Sequence, residues 1–336
     1  MKYSYNYTKF LQLWKYSRAI QNQNHFIITK FMAIKVEESK FVWKNGTFLT
    51  WNEAKTHIIT HSLHYGSGIF EGIRFYETEE GTVIFRAKEH FERFLRSGKK
   101  IHLEIPYTQE DFTKIAVELV KKNQVAQGYM RPIAYFGEGY MGLDPTSADT
   151  DIALALWPWK AYLSESKTLR AHVSSIRRLT PQQTDMHVKL TGHYFNSILA
   201  SQEARGLGYN EAILLDQNGN VAEGPGENIF IVKNNVLITP AENFILPGIT
   251  RDSILEIARD EKIKIEERTI TVEELYEADE AFFTGTAAEV SLISEIDGHM
   301  MKNQDLPLST KLKKLYEDAA RGKTPKYEKW LTRVIQ

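Results

Sequence analysis

Short apolar clusters alternate with turn signals such as Asn45-Gly46 across residues 41–60, a pattern that predicts strands joined by a hairpin. The period then changes. Phe91, Phe94, Leu95 and Ile101 recur at helical spacing, as do Phe112, Ile115, Ala116, Leu119 and Val120, so two amphipathic helices are expected against that first β layer. Residues 129–136 and 152–157 read as buried strands, 169–176 as a further strand, and 195–205 as a helix stopped at Gly206. Residues 211–216 and 220–222 flank the turn Gln217-Asn218-Gly219, and 229–232 and 236–239 flank Lys233-Asn234-Asn235. Both read as hairpins, hence antiparallel strands. Pro247-Gly248 precedes the periodic set Ile254, Leu255, Ala258, which makes Thr250 the expected helix cap, and Thr271 with Glu274 has the spacing of a capping box.

Hairpins mixed with separate helices indicate an α+β fold of antiparallel sheets with flanking helices rather than a βαβ nucleotide fold. No internal repeat or low-complexity tract interrupts it. Pro158 and a change of pattern mark residues 157–168 as the connection between a smaller α/β domain, 32–156, and a larger one, 169–336. Residues 1–31 hold five Lys/Arg and no Asp or Glu, and Met32 opens an ordinary globular sequence. They are expected to be a disordered or mis-started extension.

Composition narrows the function. With 42% hydrophobic and 25% charged residues and a net charge of -1, the chain offers neither a nucleic-acid nor a membrane-surface signature. Zero cysteines exclude disulfides, cysteine nucleophiles and thiolate metal sites, and accord with an expected cytoplasmic location. There is no GxxxxGK[ST], strand-linked GxGxxG, GxSxG or HExxH. His57, His61 and His64 lie close together, but no carboxylate joins them in a ligand pattern, so no metal is expected.

Six unusual loops remain, in this order: HYGSGIFEG from His64, YMRP from Tyr129, KLTGHY from Lys189, EGPGENIF from Glu223, LPGITR from Leu246 and TGTAAE from Thr284. Alone, each glycine reads as a turn and each charge as a solvated side chain. Together they resemble the class IV aminotransferases of pyridoxal-phosphate fold type IV, above all the branched-chain amino acid aminotransferases, across about residues 41–304. The resemblance implies a two-domain fold and pyridoxal 5'-phosphate as cofactor. The implied reaction is ping-pong transamination of L-leucine, L-isoleucine and L-valine with 2-oxoglutarate, serving branched-chain amino acid biosynthesis. Amino acids and 2-oxo acids would be the small-molecule partners, and a homodimer or larger homo-oligomer the assembly. A D-amino-acid aminotransferase or an aminodeoxychorismate lyase of the same fold is the alternative.

Residue by residue, the resemblance makes Lys189 the lysine that binds the cofactor aldehyde as an imine and moves the substrate proton. Tyr194 corresponds to the tyrosine on the cofactor phenolate oxygen, and Glu223 to the carboxylate facing the ring nitrogen. Arg93, in the helical EHFERFL, corresponds to a phosphate-binding arginine, although an i,i+4 pair with Glu89 is its ordinary alternative. The amides of Ile249 and Thr250 sit where a helix N-terminus would bind an anion, and Thr286 matches a second phosphate contact. The substrate wall is assigned to Tyr65, Phe70, Tyr129, Met141, Trp159 and Tyr162, with Arg131 for a side-chain carboxylate and the amides of Ala287 and Ala288 for the α-carboxylate. One position departs: His193 stands where many members have asparagine.

Overall fold

The computed structural model describes residues 36–159 and 168–334. Expectations for residues 1–31 and for Tyr162 lie outside the described residues. The Asn45-Gly46 pair turns β1 (Phe41–Lys44) into β2 (Thr47–Thr50), and its φ angles of 48° and 88° are those of the tight turn that matches strand twist. Helix α1 (His61–Tyr65), β3 (Gly68–Phe70), β4 (Ile73–Thr78) and β5 (Gly81–Phe85) follow. The two expected helices are α2 (Ala87–Lys100) and α3 (Gln109–Asn123), the second started by a capping box between Thr108 and Asp111. Strands β6 (Gly128–Phe136) and β7 (Thr150–Pro158) complete this half, with Trp157 and Pro158 paired to Tyr129 and Gly128.

The second half runs β8 (Leu169–Val173), α4 (Tyr194–Gly206), β9 (Glu211–Leu215), β10 (Val221–Glu223), β11 (Asn228–Lys233) and β12 (Val236–Thr239). Next come α5 (Ile249–Asp260), β13 (Lys264–Glu267), α6 (Val272–Tyr276), β14 (Glu280–Gly285), β15 (Glu289–Ile296), β16 (His299–Met300), α7 (Pro307–Ala320) and β17 (Leu331–Val334). Helix α5 is capped not by Thr250 but by Gly248, one residue before Ile249, and no side chain caps it. Its first-turn N–H groups are therefore left to face whatever lies at that end. Thr271 does cap α6, its hydroxyl accepting the Glu274 N–H at 3.2 Å.

Among the described residues the first sheet is antiparallel throughout, in the order β17-β5-β4-β6-β7-β1-β2 with β3 beside β6. The second, β10-β9-β8-β15-β14-β11-β12-β13 with β16 beside β15, is mixed. Its hairpins are antiparallel as expected, but β8–β9, β8–β15 and β12–β13 run parallel. Two of those joins are crossovers: α4 carries the chain from β8 to β9, and α5 from β12 to β13. The architecture is α+β. Helices α2 and α3 pack Phe91, Phe94 and Phe112 against the first sheet, while α5 and α7 cover the second with Ile254, Leu255, Leu312 and Tyr316. Strand β17 belongs to the first sheet although it follows the whole second one; Leu331 pairs with Phe85 and Val334 with Thr82.

Candidate active site

Backbone contacts between two glycine-containing loops place Lys189. Its carbonyl accepts the Phe70 N–H at 3.1 Å, Gly192 N–H donates to Gly66 O at 3.0 Å, and the Thr191 hydroxyl donates to the same oxygen at 2.7 Å. Gly66 has φ +64°, and a Cβ there would lie 2.8 Å from the Gly192 Cα. HYGSGIF and KLTGH thus interlock through main chain, and neither loop tolerates a side chain at that crossing. From this frame Lys189 Nζ donates to Tyr194 Oη at 2.6 Å, and the Phe70 ring meets the Tyr194 ring edge-on at 4.7 Å.

The pair opens into a deep cleft of about 40 Å³, whose wall also contains Arg93, Glu223, Ile249, Thr250 and Thr286. All seven residues matched to cofactor contacts meet there. Glu223 is buried at the end of β10; it accepts from Arg178 Nε at 2.6 Å, from Asn228 Nδ2 at 3.0 Å and from the Leu246 N–H at 3.2 Å. Burial raises its pKa, and the Arg178 charge and hydrogen bond, the Leu246 amide and Lys189 oppose without reversing that shift. The carboxylate is thus incompletely compensated and is open to pairing with a cationic group in the cleft. Arg178 Nη1 is buried without a hydrogen-bond partner among the described residues.

Arg93 makes no pair with Glu89, which instead bonds Arg86 at 2.6 Å. Its guanidinium grips the fully buried Glu71 through Nε at 2.6 Å and Nη2 at 2.8 Å, and Nη1 donates to Pro247 O at 2.8 Å. His90 Nδ1 lies 2.8 Å from the same carboxylate. Burial works against a charged Glu71, but the charge and hydrogen bonds of Arg93 and the contact with His90 outweigh it and hold the carboxyl well below its usual range. Arg93 thereby fixes the Pro247 turn at the head of α5. Gly248 has no room for a side chain, since a Cβ would fall 1.9 Å from Asn228 Oδ1.

Beyond Lys189 the cleft meets a cavity of about 380 Å³ with Phe70, Tyr129, Arg131, Trp159 and Ala287 in its wall. The Arg131 guanidinium lies over Phe70 (4.7 Å), Tyr129 (5.3 Å) and Trp157 (5.9 Å), and its buried Nε has no hydrogen-bond partner among the described residues. Arg74, which no sequence motif singles out, donates from Nη2 to Ala287 O at 3.0 Å and from Nε to Thr286 O at 3.2 Å. It ties TGTAAE to β4. Ala288 lies behind this wall, its carbonyl accepting from the Ser291 hydroxyl. Tyr65 and Met141 are not brought in: they are 44% and 49% exposed and line neither cavity. The opposite end of the cavity is polar, with Ser201 and Arg205 of α4 facing Glu211 and Glu227. Glu71 and Glu227 fall inside the HYGSGIFEG and EGPGENIF loops, where the resemblance gives them no role, and no motif contains Arg178 or Glu211.

The histidines serve local structure. His61 sits between the Ser67 hydroxyl (2.6 Å) and Gly142 O (2.7 Å), and His64 Nε2 lies 2.9 Å from Ile58 O. His193 Nε2 is 2.7 Å from Thr184 Oγ1, and burial with the nearby Arg178 charge pushes its pKa down to about 4.

A lysine paired to a tyrosine, a buried acid and an arginine-backed helix start, joined in one cleft, define a class of protein that sequence comparison independently identifies. Residues 68–296 match the amino-transferase class IV family, and the chain belongs to it. The branched-chain-amino-acid aminotransferase of Pseudomonas aeruginosa is 41% identical over 297 residues, 87% of this chain and 97% of that protein. Among solved structures, the branched-chain amino acid aminotransferase of Thermobaculum terrenum in its PLP-bound holo form aligns at TM-score 0.85 with 33% identity, over 89% of this chain and all of that one. The branched-chain aminotransferase of Thermoproteus uzoniensis with norvaline aligns at 0.85 with 45% identity, over 88% and 100%.

Proposed function

We propose that this chain is a pyridoxal-phosphate-dependent aminotransferase that moves the amino group of leucine, isoleucine or valine to 2-oxoglutarate. The observation that carries the reading is the single cleft in which Lys189 and Tyr194, Glu223, Arg93 and the start of α5 converge. When bound, pyridoxal phosphate supplies an aldehyde for the amine nitrogen and a ring that takes up the electron pair left by the departing α-proton. Lys189 Nζ holds the cofactor at rest and, once free, carries a proton to and from the substrate α-carbon. Tyr194 Oη orients that nitrogen. Glu223, steadied by Arg178 and Asn228, faces the ring nitrogen as an anion. Arg93, Thr286 and the uncapped first-turn amides of Ile249 and Thr250 take the phosphate.

Phe70, Tyr129 and Trp159 give the substrate side chain an apolar, aromatic wall, where each buried methylene contributes about 0.8 kcal/mol. Arg131 is stacked within that wall, so a glutamate side-chain carboxylate entering it meets a half-buried cation. One pocket thus takes both kinds of side chain. Tyr65, Met141 and Ala288 hold weaker claims to a substrate role than Phe70, Tyr129, Arg131, Trp159 and Ala287. Tyr65 and Met141 sit on a face with Ile58, Leu63 and Leu143 (89% exposed), knit together by the His61 contact to Gly142 O. A second copy of the chain covering that face would make the assembly a homodimer or larger and bring these residues to a site.

Purified protein given L-leucine and 2-oxoglutarate should release glutamate, and borohydride should fix the cofactor to the peptide containing Lys189. Exclusive turnover of D-alanine would select the D-amino-acid alternative. No fixed cofactor would end the reading.

A further inference from the structure

Glu227 occupies a space that two glycines leave open. An added Cβ would lie 3.0 Å from its Oε2 at Gly224 and 3.3 Å from its Cγ at Gly285, so the side chain is seated between the EGPGEN and TGTAAE turns. Oε2 bends back to accept the Gly226 N–H at 3.0 Å, and no hydrogen bond among the described residues uses the other oxygen. At 7% exposure the residue is walled off from bulk solvent, yet it lines both the deep cleft and the wider cavity, with Lys189 in the same two walls. Neither the cofactor contacts nor the side-chain pocket uses it. Behind it, Glu211 of β9 spends one oxygen on the Ser201 hydroxyl (2.9 Å) and the Ala212 N–H (3.0 Å).

We propose that Glu227 is a catalytic proton acceptor for the substrate amine, a role that rests on the transamination reading. An amino acid arrives as an α-ammonium whose nitrogen has no free electron pair. The free carboxylate oxygen of Glu227 takes one N–H proton, giving a neutral carboxylic acid and a neutral amine whose lone pair is then available to attack. In the reverse sense the acid returns the proton as the product amine leaves. Burial, and next the Glu211 charge, push Glu227 up to about 8, opposed by the Gly226 amide and Lys189, with Glu223 adding to the rise. Glu211 is itself raised by burial and eased by Ala212, Ser201 and Arg205. That makes Glu227 a stronger base than an ordinary carboxylate, matched to a working pH near neutrality.

The pH dependence of the two half-reactions separates this role from a structural one, because the ammonium of leucine must lose a proton on entry and the glutamate product must regain one as it leaves. Single-turnover rates of cofactor-loaded protein are measured from pH 6 to pH 10, with leucine for one half and 2-oxoglutarate for the other. Glu227→Gln should slow the leucine half about a hundredfold at neutral pH and the glutamate-releasing half comparably. The inflection near 8 should vanish from the leucine profile, which then climbs until the free amino acid itself ionises, and Glu227→Asp should recover part of the rate. In cofactor-free protein at neutral pH, an infrared carboxylic-acid band should be present in wild type and lost in Glu227→Gln. A leucine half that Glu227→Gln leaves at the wild-type rate, or a leucine profile that keeps its inflection, would overturn the proposal while leaving transamination intact. Wild-type protein that performs neither half would overturn both.

Discussion

The two ends of the site are built differently. Around the deep cleft the charges matched to cofactor contacts are held in pairs: Arg93 on Glu71, Arg178 on Glu223, and Asn228 bridging Glu223 to Leu246. The substrate end is a wall of stacked rings around a cation with an unused Nε. A cofactor is the same molecule in every turnover, and a preorganised set of fixed partners suits it. Two substrates of opposite polarity must share the other end, and stacking that leaves donors unspent suits them.

That difference orders the expected effects of substitution. Lys189→Ala should reduce transamination by on the order of 10⁴-fold, the upper scale for a positioned proton carrier, while equilibrium dialysis still detects cofactor held by the remaining cleft contacts. Retained turnover would break the division between the two ends. Glu223→Gln should reduce kcat about a hundredfold, the scale of removing one preorganised electrostatic partner, for leucine and glutamate alike. Arg131→Met, at the other end, should be selective. KM for 2-oxoglutarate should rise about 10- to 100-fold, the worth of a hydrogen bond to a charged group, and KM for leucine by much less. Equal effects on both substrates would erase the distinction.

The smallest effect concerns pH. His193 has a folded pKa of about 4 against an ordinary 6.5, because burial and Arg178 disfavour its charged form. Only the unfolded chain takes up the proton below 6.5, so this group's contribution is present above 6.5 and is lost as pH falls toward 4. His193→Asn should therefore lose less thermal stability than wild type over that interval in paired melting curves, with little difference at neutral pH.

The same contrast explains what the sequence could reveal. Lys189, Tyr194 and Glu223 stand in short motifs that keep their order, so their grouping could be anticipated. Arg178 and Arg74 could not, because their partners lie 45 and 212 residues away and a buried arginine is written like a solvated one. Hairpins such as β11–β12 are announced by their turns. The parallel pairing of β8 with β15 joins Leu169 to Ile293, and nothing local encodes it. Alternation also fails for β4 and β14, whose residues are buried on both faces over most of their length. Thr250 is a reasonable cap by residue type, but the helix starts two residues earlier, capped by Gly248, where Asn228 leaves no room for a side chain.

Strand β17 gives the chain a closed-circuit topology. The polypeptide leaves the first sheet after β7, builds the second, and returns to pair with β5, where Arg86 N–H also meets Trp330 O at 2.7 Å and Arg86 Nη2 meets Asp252 at 2.8 Å. One peptide-bond cleavage between Trp159 and Thr168 would therefore open the circuit without releasing either part. The two fragments should co-elute under native conditions and separate only in denaturant, which makes that stretch a natural place to split the enzyme into complementing halves.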